Sequence, residues 1–269
     1  MMARPQMGTK ISKDKREGIE AMIALDISNS MLAEDVAPSR LERSKRLVED
    51  LLNHFTNDKI GLVVFAGDAF VQLPITADYI SAKMFLDNIS PSLIGSQGTD
   101  IAKAIELSQH SFTQNSKFGK AIIIITDGEN HEGGAEEMAR KAQKAGIRVF
   151  ILGIGSTAGA PIPMDDGSYL QDKNGQTVMT KLNEDMCRKV AEAGKGMYIH
   201  VDNTAAAEQM LDNEIAKMQH GEIESVSYSD YADQFPALAA IVLLLLIAEA
   251  LLMERKNPLL NRINLFTKK

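Results

Sequence analysis

Two kinds of apolar run alternate along this chain. Ala21-Met22-Ile23-Ala24-Leu25, residues 60–65, Ala121-Ile122-Ile123-Ile124-Ile125 and residues 149–154 are short, uninterrupted apolar stretches. That is the signature of strands buried on both faces of a parallel sheet. Between them, apolar residues recur at helical spacing. Ser39-Arg40-Leu41-Glu42 reads as a capping box, and the helix it opens carries Leu41, Val48, Leu51, Leu52 and Phe55. Further helices are predicted over 77–89 (capped by Thr76), 101–112, 135–145 (stopped by Gly146), 183–193 and 205–218. Gly67-Asp68 predicts a tight turn into a strand at 70–73, and 196–201 a last strand. Strands alternating with helices predict an α/β fold, a doubly wound, mostly parallel sheet of Rossmann-like type. Residues 156–182 break that rhythm. Asn174-Gly175, between Tyr169-Leu170 and Thr177-Val178, marks a small β-hairpin insertion. Asp172-Lys173-Asn174-Gly175 lacks the later Glu of a calcium loop, so it reads as a plain turn.

The pattern changes at the ends. Residues 237–253, ALAAIVLLLLIAEALLM, carry one ionisable group, Glu249, and follow Phe235-Pro236. A run of this length reaches the lower bound for a membrane-spanning helix, and Glu249 within it is placed to pair with a partner helix or to reach the interface. The chain therefore divides into a juxtamembrane linker at 1–18, a folded domain at 19–220, a tether at 221–235, a transmembrane helix at 236–253 and a basic tail at 254–269. Arg255, Lys256, Arg262, Lys268 and Lys269 follow the span against Glu254 alone, whereas Glu222, Glu224, Asp230 and Asp233 precede it. The positive-inside rule puts the tail in the cytoplasm and the domain outside. The polar, basic N-terminus offers no leader to carry the domain across, which implies a membrane segment upstream of it.

Composition narrows the chemistry. A formal net charge of −7, with no basic stripe, argues against nucleic-acid binding. Cys187 is the single cysteine, which excludes an intramolecular disulfide or a Cys-based metal site. No Walker A sequence or Gly-x-Ser-x-Gly elbow is present, and Gly153-Ile154-Gly155 has the third glycine of a dinucleotide fingerprint misplaced. His131 stands beside Glu129 and Glu132 without a second His at metal spacing, so it reads as a solvated loop residue.

What remains is Asp26-Ile27-Ser28-Asn29-Ser30, a carboxylate and two hydroxyls at the carboxyl end of the first buried strand. Ligands of open α/β sheets bind at that edge. Asp127 ends a second apolar strand, and Thr99 heads a helix after the loop Gly95-Ser96-Gln97-Gly98. Together Asp26, Ser28, Ser30, Thr99 and Asp127 offer hard oxygen ligands with two negative charges, which suits Mg²⁺, with Mn²⁺ or Ca²⁺ as substitutes. Asp26, Ser28, Ser30 and Thr99 are expected to ligate directly, and Asp127 directly or through water. An ion so held keeps an open position for a carboxylate from another molecule.

These residues resemble the metal-ion-dependent adhesion site of von Willebrand factor A (VWA) domains: Asp-x-Ser-x-Ser, the Thr of Gly98-Thr99-Asp100, and Thr126-Asp127-Gly128. The resemblance covers roughly residues 18 to 220. Pro38-Ser39-Arg40-Leu41, Phe65-Ala66-Gly67-Asp68-Ala69, Pro74-Ile75-Thr76 and Thr126-Asp127-Gly128-Glu129-Asn130-His131 are similar to the bacterial Bat-type (Bacteroides aerotolerance, BatB-like) membrane proteins. In that family the counterpart of Ala3-Arg4-Pro5-Gln6 directly follows an N-terminal membrane helix. The resemblance implies a periplasmic domain anchored in the bacterial inner membrane, association with other Bat-type proteins, and genetic linkage to MoxR-type ATPases in an aerotolerance or stress role. The expected activity is a protein-interaction module, not an enzyme, whose partner supplies an Asp or Glu to the metal. An adhesion module for an extracellular ligand is the alternative within binding. A metal-dependent phosphohydrolase is the enzymatic one, but the acid/base carboxylate it needs two residues after Asp26 is Ser28.

Overall fold

A computed structural model describes the backbone of residues 11–253 except 56, 115–117, 131, 165, 203, 219–220 and 229–234, and side chains over 18–218 and 239–249 with the same gaps. The chain forms two compact units, one of Lys15–Ile223 and one of Met1–Asp14 with Glu224–Lys269.

The first unit is built on the apolar runs. Strand β1 (Ile11–Asp26) lies between β2 (Lys59–Phe65) and β4 (Gly119–Thr126), parallel to both. Beyond β4 follow β5 (Ile147–Gly153) and β8 (Lys195–His200), again parallel, and β3 (Ala69–Thr76) closes the other edge antiparallel to β2. The order β3-β2-β1-β4-β5-β8 reverses direction at the β1–β4 pair.

Both faces of the sheet are covered, which is why the central strands read as continuous apolar runs. Ile23, Leu25, Ile123 and Ile125 meet Leu47, Leu51, Leu86 and Leu211 of α1 (Arg40–His54), α2 (Tyr79–Asp87) and α6 (Thr204–Ile215). Met22, Ala24, Ile122 and Ile124 meet Ile101, Ile105, Ala139 and Val190 of α3 (Ile101–Ser111), α4 (Ala135–Lys144) and α5 (Glu184–Ala193). Ile122 to Ile125 are each fully buried, and each such side chain contributes about 1.5–3 kcal/mol. The doubly wound, mostly parallel α/β fold is thus present.

The insertion is the expected hairpin. The short strands β6 (Ala160–Pro161) and β7 (Met179–Thr180) pair antiparallel, Gln171 bridges Thr177, and Asp172 accepts from the Asn174 and Gln176 amides in a tight turn. Other expectations need correction. The cap of α2 is Asp78, whose carboxylate accepts from the Ile80 and Ser81 amides; Thr76 sits two residues back and accepts from the Asp78 amide. Residues 11–18, read as linker, open β1, and much of the 221–235 tether is strand β9 (Gly221–Tyr228), which pairs with β1. Backbone pairing needs no apolar side chains, so polar composition concealed both.

Helix α7 (Phe235–Met253) occupies the apolar segment. Among the described residues, however, no helix is long and apolar enough to cross a membrane. Side chains of α7 are described over 239–249. Within that stretch Ile241 to Ile247 are all exposed. His131 and the basic tail at 254–269 lie outside the described residues.

Candidate metal centre

Parallel register builds the site. Leu25 pairs with Ile125 across β1 and β4, so the residues that follow, Asp26 and Thr126, emerge level at the carboxyl edge. The Thr126 hydroxyl donates to Asp26 Oδ2 at 2.6 Å, and the Ser28 amide donates to Asp26 Oδ1 at 2.9 Å. After Ile27 the chain turns through a short 3-10 segment, Asn29–Leu32, which brings Ser28 Oγ within 2.9 Å of Ser30 Oγ. Asp127 follows β4, its Oδ1 accepting from the Glu129 amide at 3.1 Å. The Ser30 hydroxyl also favours the ionised form of Asp127. Asp26, Ser28, Ser30 and Asp127 are all buried. This is the topological switch point of the sheet, where such folds bind ligands.

Thr99 comes to the same edge by a separate route. The Asp100 amide donates to Ala66 O, just past β2, and the Gly67 amide donates to Ser96 O. Since Phe65 pairs with Asp26, the loop before α3 is stitched to the strand end beside the carboxylate. Asp100 also caps α3 through the Lys103 amide at 3.0 Å, and Thr99 is buried.

The sequence reading missed Arg40. Its guanidinium is fully buried, and Nη1 donates to Asp127 Oδ2 at 2.8 Å and to Thr180 Oγ1 at 3.0 Å. Nε and Nη2 form a fork on Asp35, each at 2.8 Å, and Asp35 Oδ2 also accepts from the Ser156 amide. Nη2 reaches Thr180 O as well. One side chain therefore ties a carboxylate of the site to the loop before α1 and to the β-hairpin insertion. A signal was available: position 40 is in phase with the buried residues Ser44, Leu47 and Leu51 of α1, so the arginine had to point inward.

Electrostatics follow from the crowding. Burial, then the neighbouring Asp127 charge, pushes the Asp26 carboxyl up to about 7. Burial also raises Asp127, against the Ser30 and Glu129 hydrogen bonds and the Arg40 charge that favour its ionised form. Two buried carboxylates at one strand edge, with the Arg40 guanidinium on Asp127, favour a further cation.

Whether a metal fits is decided by donor chemistry. Among the described residues no group of three or more His, Cys, Asp or Glu is placed to hold one, so an ion here must draw on hydroxyls. Ser28, Ser30 and Thr99 beside Asp26 and Asp127 are hard oxygens of the kind that hold a divalent cation. The nearby Cys187 is buried behind Gly128 and is held neutral by burial and the surrounding carboxylates, its thiol pushed up to about 12. The residues fit a hard divalent ion.

Known proteins agree with this architecture. A family model for the von Willebrand factor type A domain matches residues 21–129. The solved structure of an aerotolerance-related membrane protein from Bacteroides fragilis is 56% identical, with a TM-score of 0.73, and the alignment covers 75% of this chain and 100% of that one. The chain belongs to the BatB-type family of von Willebrand factor A domain proteins. BatB from Bacteroides thetaiotaomicron, a conserved hypothetical protein, is 57% identical with a TM-score of 0.72 over 74% of this chain and 98% of that one. An uncharacterised protein of Borreliella burgdorferi is 32% identical over 157 residues, 56% of this chain. The chain spans 46% of the length of that relative.

Proposed function

We propose that this BatB-type protein is an interaction module that binds a partner's carboxylate through a metal-ion-dependent adhesion site. The observation that carries the reading is the convergence of Asp26, Ser28, Ser30 and Asp127 into one buried hydrogen-bonded cluster at the sheet's switch point, with Thr99 brought to the same edge by the Ala66–Asp100 contact. Asp26, Ser28, Ser30 and Thr99 would hold the ion directly, and Asp127 directly or through water. A bound Mg²⁺ or Mn²⁺ supplies a Lewis-acidic position that takes an Asp or Glu from a protein partner, other Bat-type proteins being the first candidates. The chain's own residues fix the donors: Thr126 and the Ser28 amide orient Asp26, while Arg40 and the Glu129 amide orient Asp127. No acid/base group stands two residues after Asp26, where Ser28 instead bonds Ser30, which supports binding over turnover.

In the same reading the chain ahead of β1 leads into the VWA domain, and the chain beyond β9 connects it to a membrane span at 236–253 with a basic cytoplasmic tail at 254–269. The uniform exposure of Ile241 to Ile247 supports the span, because it leaves α7 no sheltered apolar face. The domain would then face the periplasm of a bacterial inner membrane.

The test is a pull-down from detergent-solubilised membranes with Mg²⁺, with EDTA, and with Asp26→Ala. Partners should be retained with Mg²⁺ and lost in the other two. Equal retention in all three would sink the metal bridge.

A further inference from the structure

The carboxyl edge of the sheet carries a second concavity that the metal centre does not use. It encloses about 350 Å³ beside the ends of β5 and β8, between the loop that begins at Gly155, His200 with Asp202, and the start of α1. A cavity of this size takes a small ligand or a single side chain. Its polar groups are unequally engaged. Asp35 is spent on Arg40 and on the Ser156 amide. His200 Nδ1 lies 3.2 Å from Glu184 Oε1 and Nε2 lies 3.3 Å from Gly155 O. Asp202 stands at the rim, 86% exposed, 3.5 Å from the same imidazole. Arg43 differs from all of these: its Nε is buried and has no hydrogen-bond partner among the described residues.

Arg43 lines the cavity with its Nε unpaired among the described residues, and a guanidinium presents its N–H groups as a planar fork that matches an oxyanion. We propose that this cavity is an oxyanion-binding site anchored by Arg43, taking a carboxylate or phosphate group, with Thr157 at its mouth. The site is separate from the metal centre and stands whether or not that centre binds an ion. Asp35, Arg40 and Asp127 join the two.

The experiment is calorimetric titration of the full chain in detergent, stripped of metal on a chelating resin, at ionic strength fixed with chloride. Inorganic phosphate and succinate are titrated separately, so the preferred anion identifies the source of the oxyanion. Saturable binding of at least one is expected. It should weaken at least about tenfold in Arg43→Gln, since a charge-assisted fork is lost. Thr157→Glu puts a competing carboxylate at an exposed position of the mouth and should weaken it comparably, which decides the matter if Arg43→Gln fails to fold. Arg140→Gln, an exposed arginine on α4, should bind as the wild type does. The proposal is overturned if neither anion binds saturably, or if Thr157→Glu and a folded Arg43→Gln both bind as the wild type does.

Discussion

Arg40 shows how one side chain can set the character of this site. Removing it as Arg40→Met would leave Asp127 and Asp35 without their cation in buried surroundings. Breaking one side of a buried ion pair costs about 3–5 kcal/mol. Thermal or urea melting should show a loss of that order, and a change below about 1 kcal/mol would mean that the network is slack. Cys187 makes the opposite kind of prediction. With its thiol pushed up to about 12, chiefly by burial and then by Asp127, the native protein should resist iodoacetamide from about pH 7 to about pH 9, while the denatured chain reacts faster as pH rises. Rapid native labelling would show that the region behind Gly128 opens readily.

At the scale of elements, the caps separate what pattern can and cannot tell. Asp78→Ala removes a carboxylate that serves two amides of α2 and should destabilise the domain measurably. Thr76→Ala, which loses only the contact to the Asp78 amide, should cost less, and the reverse ranking in denaturant melts would restore Thr76 as the main cap. The central strands were legible because burial on both faces leaves no polar position to interrupt them. The opening of β1 and the whole of β9 were not, because strands joined through backbone hydrogen bonds tolerate Lys, Glu and Ser. For the site, Asp26 and Asp127 were legible because each ends an apolar run. Arg40 was not, since a capping-box reading gives roles to Ser39 and Glu42 and none to Arg40; only the phase of Leu47 and Leu51 gives it away.

Taken whole, the molecule places its chemistry where the fold changes direction. The β1–β4 switch point brings two carboxylates to one edge, and helices on both faces bury them, so the same topology that stabilises the domain also raises Asp26 and Asp127. The net negative charge and the all-oxygen donor set then favour a hard cation at that centre. Direct Mn²⁺ binding by the metal-stripped full chain, followed by titration calorimetry or paramagnetic resonance, tests this most directly. One saturable site is expected in the wild type, lost in Asp26→Ala and weakened in Thr99→Ala. Because the Asp26 carboxyl is raised to about 7, a proton competes with the ion below that point, so affinity should climb as pH rises from about 6 to about 8. Mn²⁺ binding that is absent, or that survives Asp26→Ala with unchanged affinity, would contradict the account.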